Sequence, residues 1–307
     1  MSEEEAVAAD EVCASCGTAA VDDVKLKKCN NGCDLVKYCS DPCEANHREQ
    51  HKEECKMRKA ELRDRDLFTM PDGSHWGECP ICFLPLAIDP TKSTFADCCS
   101  KLVCNGCCYA NTKRENEAGL WHRCVFCREP AVFGEEEINK RCEKRIKKND
   151  PAAMHFLGKK LYDAGDYETA LEYLTKAAEL GYAGAHYDLS NLYRKGEGVD
   201  KDMKMAIYLL EEAAIAGHPS ARYNLGIYEG NNGRFERARK HLIIAANLGN
   251  DDSLKAIKDL YAGGHASKED YANALRACQA AVDATKSEER EVADAYFKAL
   301  DAARLNN

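Results

Sequence analysis

Sixteen of the eighteen cysteines in this 307-residue chain lie between Cys13 and Cys127, and five of them crowd into "DCCSKLVCNGCC", residues 97–108. Thiols at that density need either an oxidising compartment or a metal. The opening stretch "MSEEEAVAADEV" is acidic where a targeting segment would be basic and then apolar, and no run reaches the roughly 18 to 20 apolar residues that span a bilayer. A soluble, intracellular chain, cytoplasmic or nuclear and without membrane contact, is expected. There, clustered thiols stay reduced and bind metal instead of forming a disulfide framework. Only Cys142 and Cys278 lie beyond the cluster, so the chain changes character near residue 135.

Within the cysteine-rich part, "KMRKAELRDRDLF" is charged and helix-permissive and "MPDGSHWGE" ends it, which separates two clusters. The first reads Cys13-x2-Cys16, Cys29-x3-Cys33, Cys39-x3-Cys43 and His51-x3-Cys55. Short Cys pairs suit zinc because a tight turn brings two thiolates about 2.3 Å from one ion, while His and Cys at i and i+4 share a helix face. Eight ligands make two tetrahedral sites, and His47, one turn before His51, competes with it. This order, with "KYCSDPC" before the final helix, resembles a MYND zinc finger over residues 13–55. In that family the sites interleave, which implies Cys13, Cys16, Cys39 and Cys43 on one ion and Cys29, Cys33, His51 and Cys55 on the other. The resemblance also implies binding of short proline-containing peptides. Where the family usually has Gln and Trp, this chain has Glu44 and Arg48, so a remodelled groove is expected. A purely structural finger is the plainer alternative.

The second cluster is bracketed by "CPIC" at 79–82 and "CVFC" at 124–127, with Cys104-x2-Cys107 between. These pairs resemble a RING finger. Counting back from Cys104, the usual histidine slot holds Lys101, which cannot ligate while protonated. Some RING variants place a Cys four residues before the fifth ligand, and Cys99 has that spacing, which makes Cys98 the third ligand. The resemblance then implies Cys79, Cys82, Cys104 and Cys107 on one ion and Cys98, Cys99, Cys124 and Cys127 on the other, with Cys108 left over. Adjacent cysteines on one ion demand a bent backbone, and His122 is the alternative fourth ligand. Four zinc ions are expected in all. Neither cluster has enough apolar residues for its own core, so loss of the thiols should mean loss of the fold.

After "EEEINKRCEKRIKKNDP", read as a charged connecting helix over 131–150, the chain repeats itself. Ala153, Ala185, Ala221 and Ser253 each precede an apolar residue by four: Leu157, Leu189, Leu225 and Ile257. Ala170, Ala206, Ala238 and Ala274 each precede another Ala by seven: Ala177, Ala213, Ala245 and Ala281. Spacings of four and seven mark one helix face, and small residues there let helices approach closely. Gly181, Gly217 and Gly249 close the first three units, and a longer separation in units two and four predicts an enlarged turn in every second unit. "YRKGEGVDKDMKMA" followed by "EEAAIAGHPSARYNLG" resembles a Sel-one-like repeat, and the shorter units look like tetratricopeptide turns. The expected fold is mainly α. Two small cross-braced zinc modules, joined by a helical linker over 56–77, precede an independently folding α-solenoid of about four helix pairs over 151–285 and a capping helix over 286–307.

The formal charge of −9 falls to about −16 once four such thiolate-rich zinc sites are counted, which disfavours nucleic acid as a partner. No glycine-rich phosphate loop, Ser or Cys nucleophile motif or His-Glu-x-x-His helix is present, and both clusters look closed, as structural zinc requires. No residue is expected to catalyse directly. The solenoid resemblance implies a concave surface that holds proteins or peptides, and a rigid spacer is the bland alternative. The RING resemblance implies a ubiquitin ligase whose repeats recruit substrate. Ile81 and Pro130 match positions that touch a ubiquitin-conjugating enzyme, and Arg128 matches the arginine that bridges enzyme and ubiquitin. Asn111, where active fingers often have Trp, argues instead for a non-catalytic adaptor.

Overall fold

The computed structural model of the protein describes residues 12–20 and 25–305. The acidic tail expected over residues 1–12 lies outside them except for Val12. Two compact units divide the chain, residues 1–69 and 70–307.

In the first unit, two short antiparallel strands, β1 (Lys27–Lys28) and β2 (Lys37–Tyr38), lead into one long helix, α1 (Asp41–Phe68). Ser40 caps α1 by accepting from the Cys43 N–H, and Pro42 in the first turn fits there because no backbone donor is needed. The helix runs unbroken through His51 and Cys55, so ligand helix and expected linker are one element. It stops at Phe68 and not at residue 77, because Pro71 disfavours helical backbone at the residue before it. The core of this unit is Cys13, Cys29, Cys33, Cys55 and the Tyr38 ring, with hardly an aliphatic side chain in it. Arg58 on α1 donates to Asp34 at 2.8 Å and holds the loop behind Cys33.

The second unit opens with a hairpin, β3 (Ser93–Ala96) and β4 (Lys101–Cys104), followed directly by α2 (Asn105–Glu117), whose N-cap is the Cys104 sulfur. A charged helix, α3 (Glu135–Ile146), leads into four helix pairs. These are α4 (Pro151–Asp163) with α5 (Tyr167–Glu179), α6 (Ala183–Lys195) with α7 (Met203–Ile215), α8 (Pro219–Asn231) with α9 (Phe235–Asn247), and α10 (Asp252–Ala262) with α11 (Lys268–Ala284). The small residues that repeat in sequence sit at the helix crossings: Ala153, Ala170, Ala177, Ala185, Ala206, Ala213, Ala221, Ala238, Ala245, Ser253 and Ala274 are all buried. At Gly226 the packing is closest, since a Cβ there would lie 2.7 Å from Leu242 Cγ.

Two details depart from the periodicity. The extra residues of unit two form the turn between Lys195 and Met203, but in unit four they mainly lengthen a helix: Ala274 is the seventh residue of α11, whereas Ala206 is the fourth of α7. Ala281 is only half-buried, and the α11 position that enters the core is Cys278.

The terminal helix, α12 (Glu288–Leu305), packs on α2 of the zinc module, with Tyr296 against Tyr109 at 4.8 Å, so what the capping helix covers, which the sequence leaves open, is α2. The repeats are accordingly no separate body. Phe95 of β3 stacks on Phe156 of α4 at 4.5 Å, and His75 stacks on His218 at 4.1 Å while its N–H donates to the Gly217 carbonyl at 3.0 Å. Burial and desolvation hold His75 down at about 3 and push His218 well below the usual histidine range, so the stack is of neutral rings.

Ala213→Glu places a charge in a fully buried crossing of α7. Chemical denaturation followed by far-UV circular dichroism should show a loss of about 3–5 kcal/mol, the scale of an uncompensated buried charge. An unchanged midpoint would contradict the packing described.

Candidate metal centres

Three Cys-x2-Cys turns share one backbone. In each, the first cysteine's carbonyl accepts from the N–H four residues on: Cys13 from Gly17, Cys79 from Phe83 and Cys124 from Arg128, at 2.8, 2.9 and 3.0 Å. The first cysteine's own N–H donates one residue further along, to Thr18, Leu84 and Glu129. The residue after the second cysteine is left-handed in all three, with φ of 73° at Gly17, 58° at Phe83 and 64° at Arg128. Only glycine adopts that freely, so Phe83 and Arg128 hold a strained backbone that the turn imposes.

These turns aim N–H groups at their sulfurs. Burial opposes ionisation of Cys13, but the N–H groups of Cys39, Cys16 and Ser15 outweigh it and hold the thiol at about 6. Cys79 sits at about 7 by the same balance, through Cys82, Cys104 and Ile81. Cys16 is lowered as well, while other thiols of the first finger move the other way. Hydrogen bonding with Cys16, Cys43 and Cys13 pushes Cys39 up to about 12, and burial together with the Cys33 and Cys29 thiols does the same to Cys55. Several thiolates at this range repel one another, and a dication removes the conflict.

Four groups converge, each with all ligand atoms within 4.8 Å of one another: Cys13, Cys16, Cys39 and Cys43; Cys29, Cys33, His51 and Cys55; Cys79, Cys82, Cys104 and Cys107; Cys98, Cys99, Cys124 and Cys127. A tetrahedral zinc with sulfur at about 2.3 Å separates its ligands by roughly 3.8 Å. Cys82 and Cys104 stand 3.8 Å apart, and Cys79 to Cys107, Cys99 to Cys124 and Cys29 to Cys55 are each 3.9 Å. Disulfide sulfurs would be about 2.05 Å apart. Donor type, number and spacing fit zinc, and we propose these sixteen residues as its ligands.

The alternatives that the sequence leaves open differ in their surroundings. His51 Nε2 lies 3.0 Å from Cys33 Sγ with the Glu54 carboxylate 3.8 Å from Nδ1, whereas His47 Nδ1 is taken by the Tyr38 hydroxyl at 3.0 Å. Cys98 and Cys99 occupy the tip of the β3–β4 hairpin, where the N–H groups of Cys99 and Ser100 both donate to the Ala96 carbonyl. That is the bend an adjacent pair requires. His122 is outside the group, beside Glu115 at 3.6 Å. Lys101 stands over the Phe126 ring, and Cys108 packs into the module's core, its thiol pushed up to about 12 by burial.

Glu44 and Arg48 both line a cleft on the first finger. The buried Glu44 carboxylate accepts from the Asn30 N–H at 2.8 Å and its Nδ2 at 2.6 Å, while Arg48, Lys52, Lys56 and Lys59 rim a cleft of about 380 Å³ floored by Tyr38. In the second module Ile81 is 38% exposed on its turn and Pro130 is exposed, its carbonyl accepting from Arg141 at 2.8 Å. The Arg128 side chain is about half exposed, and it leans on α2. Its guanidinium donates to Asn111 Oδ1 at 2.7 Å and lies 3.9 Å from Glu115, both on α2. The sequence named Arg128 and Asn111 separately, and nothing in their spacing announced this bond.

Residues 13–55 match the MYND finger family, and residues 151–182, 183–218 and 219–250 each match the Sel1 repeat. The chain carries a MYND finger and a Sel1-repeat array. Among curated relatives, an exopolysaccharide production negative regulator from Rhizobium leguminosarum bv. viciae is 32% identical over 82 residues, 27% of this chain and 31% of that protein. Among solved structures, a Sel1 repeat protein from Oxalobacter formigenes is 26% identical with a TM-score of 0.44, covering 57% of this chain and 51% of its own. The protective antigen c5321 of uropathogenic Escherichia coli is 28% identical with a TM-score of 0.40, covering 45% and 33%. The chain thus spans a third to a half of these proteins. Finger and repeats together make this a zinc-binding protein-interaction protein, and among the described residues no helix is long and apolar enough to cross a membrane.

Native mass spectrometry of the full chain should return four zinc ions. Cys98→Ser should lose one and Cys108→Ser none; a zinc lost with Cys108→Ser would overturn the assignment of the second module.

Proposed function

We propose that the protein is a zinc-organised scaffold, and that its RING-like module orders the repeat unit and does not transfer ubiquitin. The bond between Arg128 and Asn111 carries this reading. An arginine that bridges a conjugating enzyme and ubiquitin has to reach both, and here the guanidinium is turned back onto α2, held by the residue that replaces the usual Trp. The MYND finger and the Sel1 repeats supply the surfaces for partner proteins or peptides. With a basic rim and no indole at position 48, the MYND cleft is less suited to proline-containing ligands than the family pattern implies.

A second reading, a RING-type ubiquitin ligase with the repeats recruiting substrate, draws on one observation: Ile81 stands exposed between the first two ligands, where a conjugating enzyme would need it. Autoubiquitination with a panel of conjugating enzymes separates the two. Zinc-loaded wild type should give no chains above a control lacking the protein. Chains that disappear in Ile81→Ala and fall sharply in Arg128→Ala would replace the scaffold with the ligase.

A further inference from the structure

Between the RING-like module and the last two repeats lies an open cleft of about 1030 Å³, lined by Leu86 and Ile88 from the loop before β3, Leu248 after α9, and Ala281 and Val282 at the end of α11. It exceeds the roughly 300–1,000 Å³ usual for small-molecule sites. Each cation that lines it is already engaged. Lys92 is paired with Asp294, and Lys286 donates to Asp283 at 2.7 Å. Arg290 spends its terminal nitrogens on the carbonyls of Pro85, Thr285 and Leu84 and on Cys82 Sγ.

The carboxylates are not engaged in the same way. Asp89 caps the turn at Thr91 and Asp294 holds Lys92. Asp72, Glu78, Asp251, Asp252 and Glu291 also line the cleft, and their side chains hold no hydrogen bond or ion pair among the described residues. Seven carboxylates therefore line the cleft against three cations, and the balance of charge there is negative.

Asn250 adds an independent observation. It is 8% exposed and lines the cleft, and its Oδ1 accepts from the Ser253 N–H at 3.0 Å and the Ser253 hydroxyl at 2.7 Å. A backbone N–H can only donate, so the acceptor end of the carboxamide is fixed there and Nδ2 is the end left over, without a partner among the described residues. Nδ2 opens onto the cleft, where water or a bound group can be its acceptor. The carbonyl of a bound peptide supplies that acceptor.

Successive side chains of an extended segment point to opposite sides. One set can lie on the apolar floor while the other reaches the carboxylates. We propose that this cleft binds an extended segment of a partner protein in which Lys or Arg alternates with apolar residues. This names a partner class for the scaffold reading and stands independently of ubiquitin transfer and of the MYND cleft.

Fluorescence anisotropy with the zinc-loaded full chain tests it, using a labelled peptide in which lysine alternates with leucine and alanine, and the same peptide with Glu for Lys. Saturable binding of the lysine peptide alone is expected. It should weaken about tenfold in Asp251→Asn/Asp252→Asn/Glu291→Gln, in keeping with several lost ion pairs. Glu168→Gln/Glu172→Gln/Asp200→Asn, elsewhere on the repeats, should bind like wild type. Asn250→Asp is the sharper arm, since it keeps the oxygen that caps α10 and adds negative charge but lacks the amide donor, and it should bind more weakly. Binding as tight or tighter in Asn250→Asp, equal loss in both triple variants, or displacement by a small polyamine at the peptide's own concentration would overturn the proposal. Zinc content and circular dichroism at wild-type values establish that each variant is folded.

Discussion

Mutual repulsion among closely held sulfurs is the constraint from which the rest of this structure follows. In each zinc module the turns hold some thiols below the usual range, Cys13 and Cys16 in the first and Cys79 and Cys124 in the second, beside others pushed up by burial and by the neighbouring sulfurs. A dication reconciles them, and in doing so fixes segments too short and too poor in aliphatic residues to fold alone. In the first unit, the sulfurs and Tyr38 are the core itself.

The second module reaches beyond its own sulfurs. Arg290 of α12 gathers the carbonyls of Leu84 and Pro85 and the sulfur of Cys82, so one guanidinium satisfies the backbone behind the first Cys-x2-Cys turn. It lies over Gly106, where a Cβ would come within 2.9 Å of its Cγ. Through β3 and Phe95 the module also meets α4, and through His75 it meets the junction before α8. A RING-like fold used this way behaves as a bracket across a solenoid that would otherwise expose its inter-repeat turns. That arrangement is what opens a cleft rich in carboxylates beside the last repeats, with Lys92 paired to Asp294 and the Arg290 donors taken up by backbone carbonyls.

Much of this was legible in the sequence because it rests on local spacing. Cys pairs two or three residues apart have few ways to turn, and Ala, Ser and Gly at four and seven can only mark close helix crossings. The contacts that no sequence pattern marks depend on partners with no side-chain signature. Arg290 binds backbone carbonyls, and no spacing connects residue 290 to residue 84; Gly106, a glycine just inside α2, was the one local hint of a close approach. The bond of Arg128 to Asn111 needed the fold to bring the last turn against α2. The longer separation in unit four has the same count as the longer turn of unit two, but "KEDYANALRACQAAVDA" sustains an added helical turn instead.

The central claim is that zinc in the RING-like module holds α12 and the repeat junctions in place. Hydrogen exchange measured by mass spectrometry on the full chain, with and without a zinc chelator, tests it most directly. Removal of zinc should sharply raise exchange in α12, in α2 and in the segment from Leu84 to Lys92, and raise it more modestly at Gly217 and His218, while the inner turns of α5 to α9 stay protected. Unchanged protection of α12 after complete loss of zinc would contradict the account.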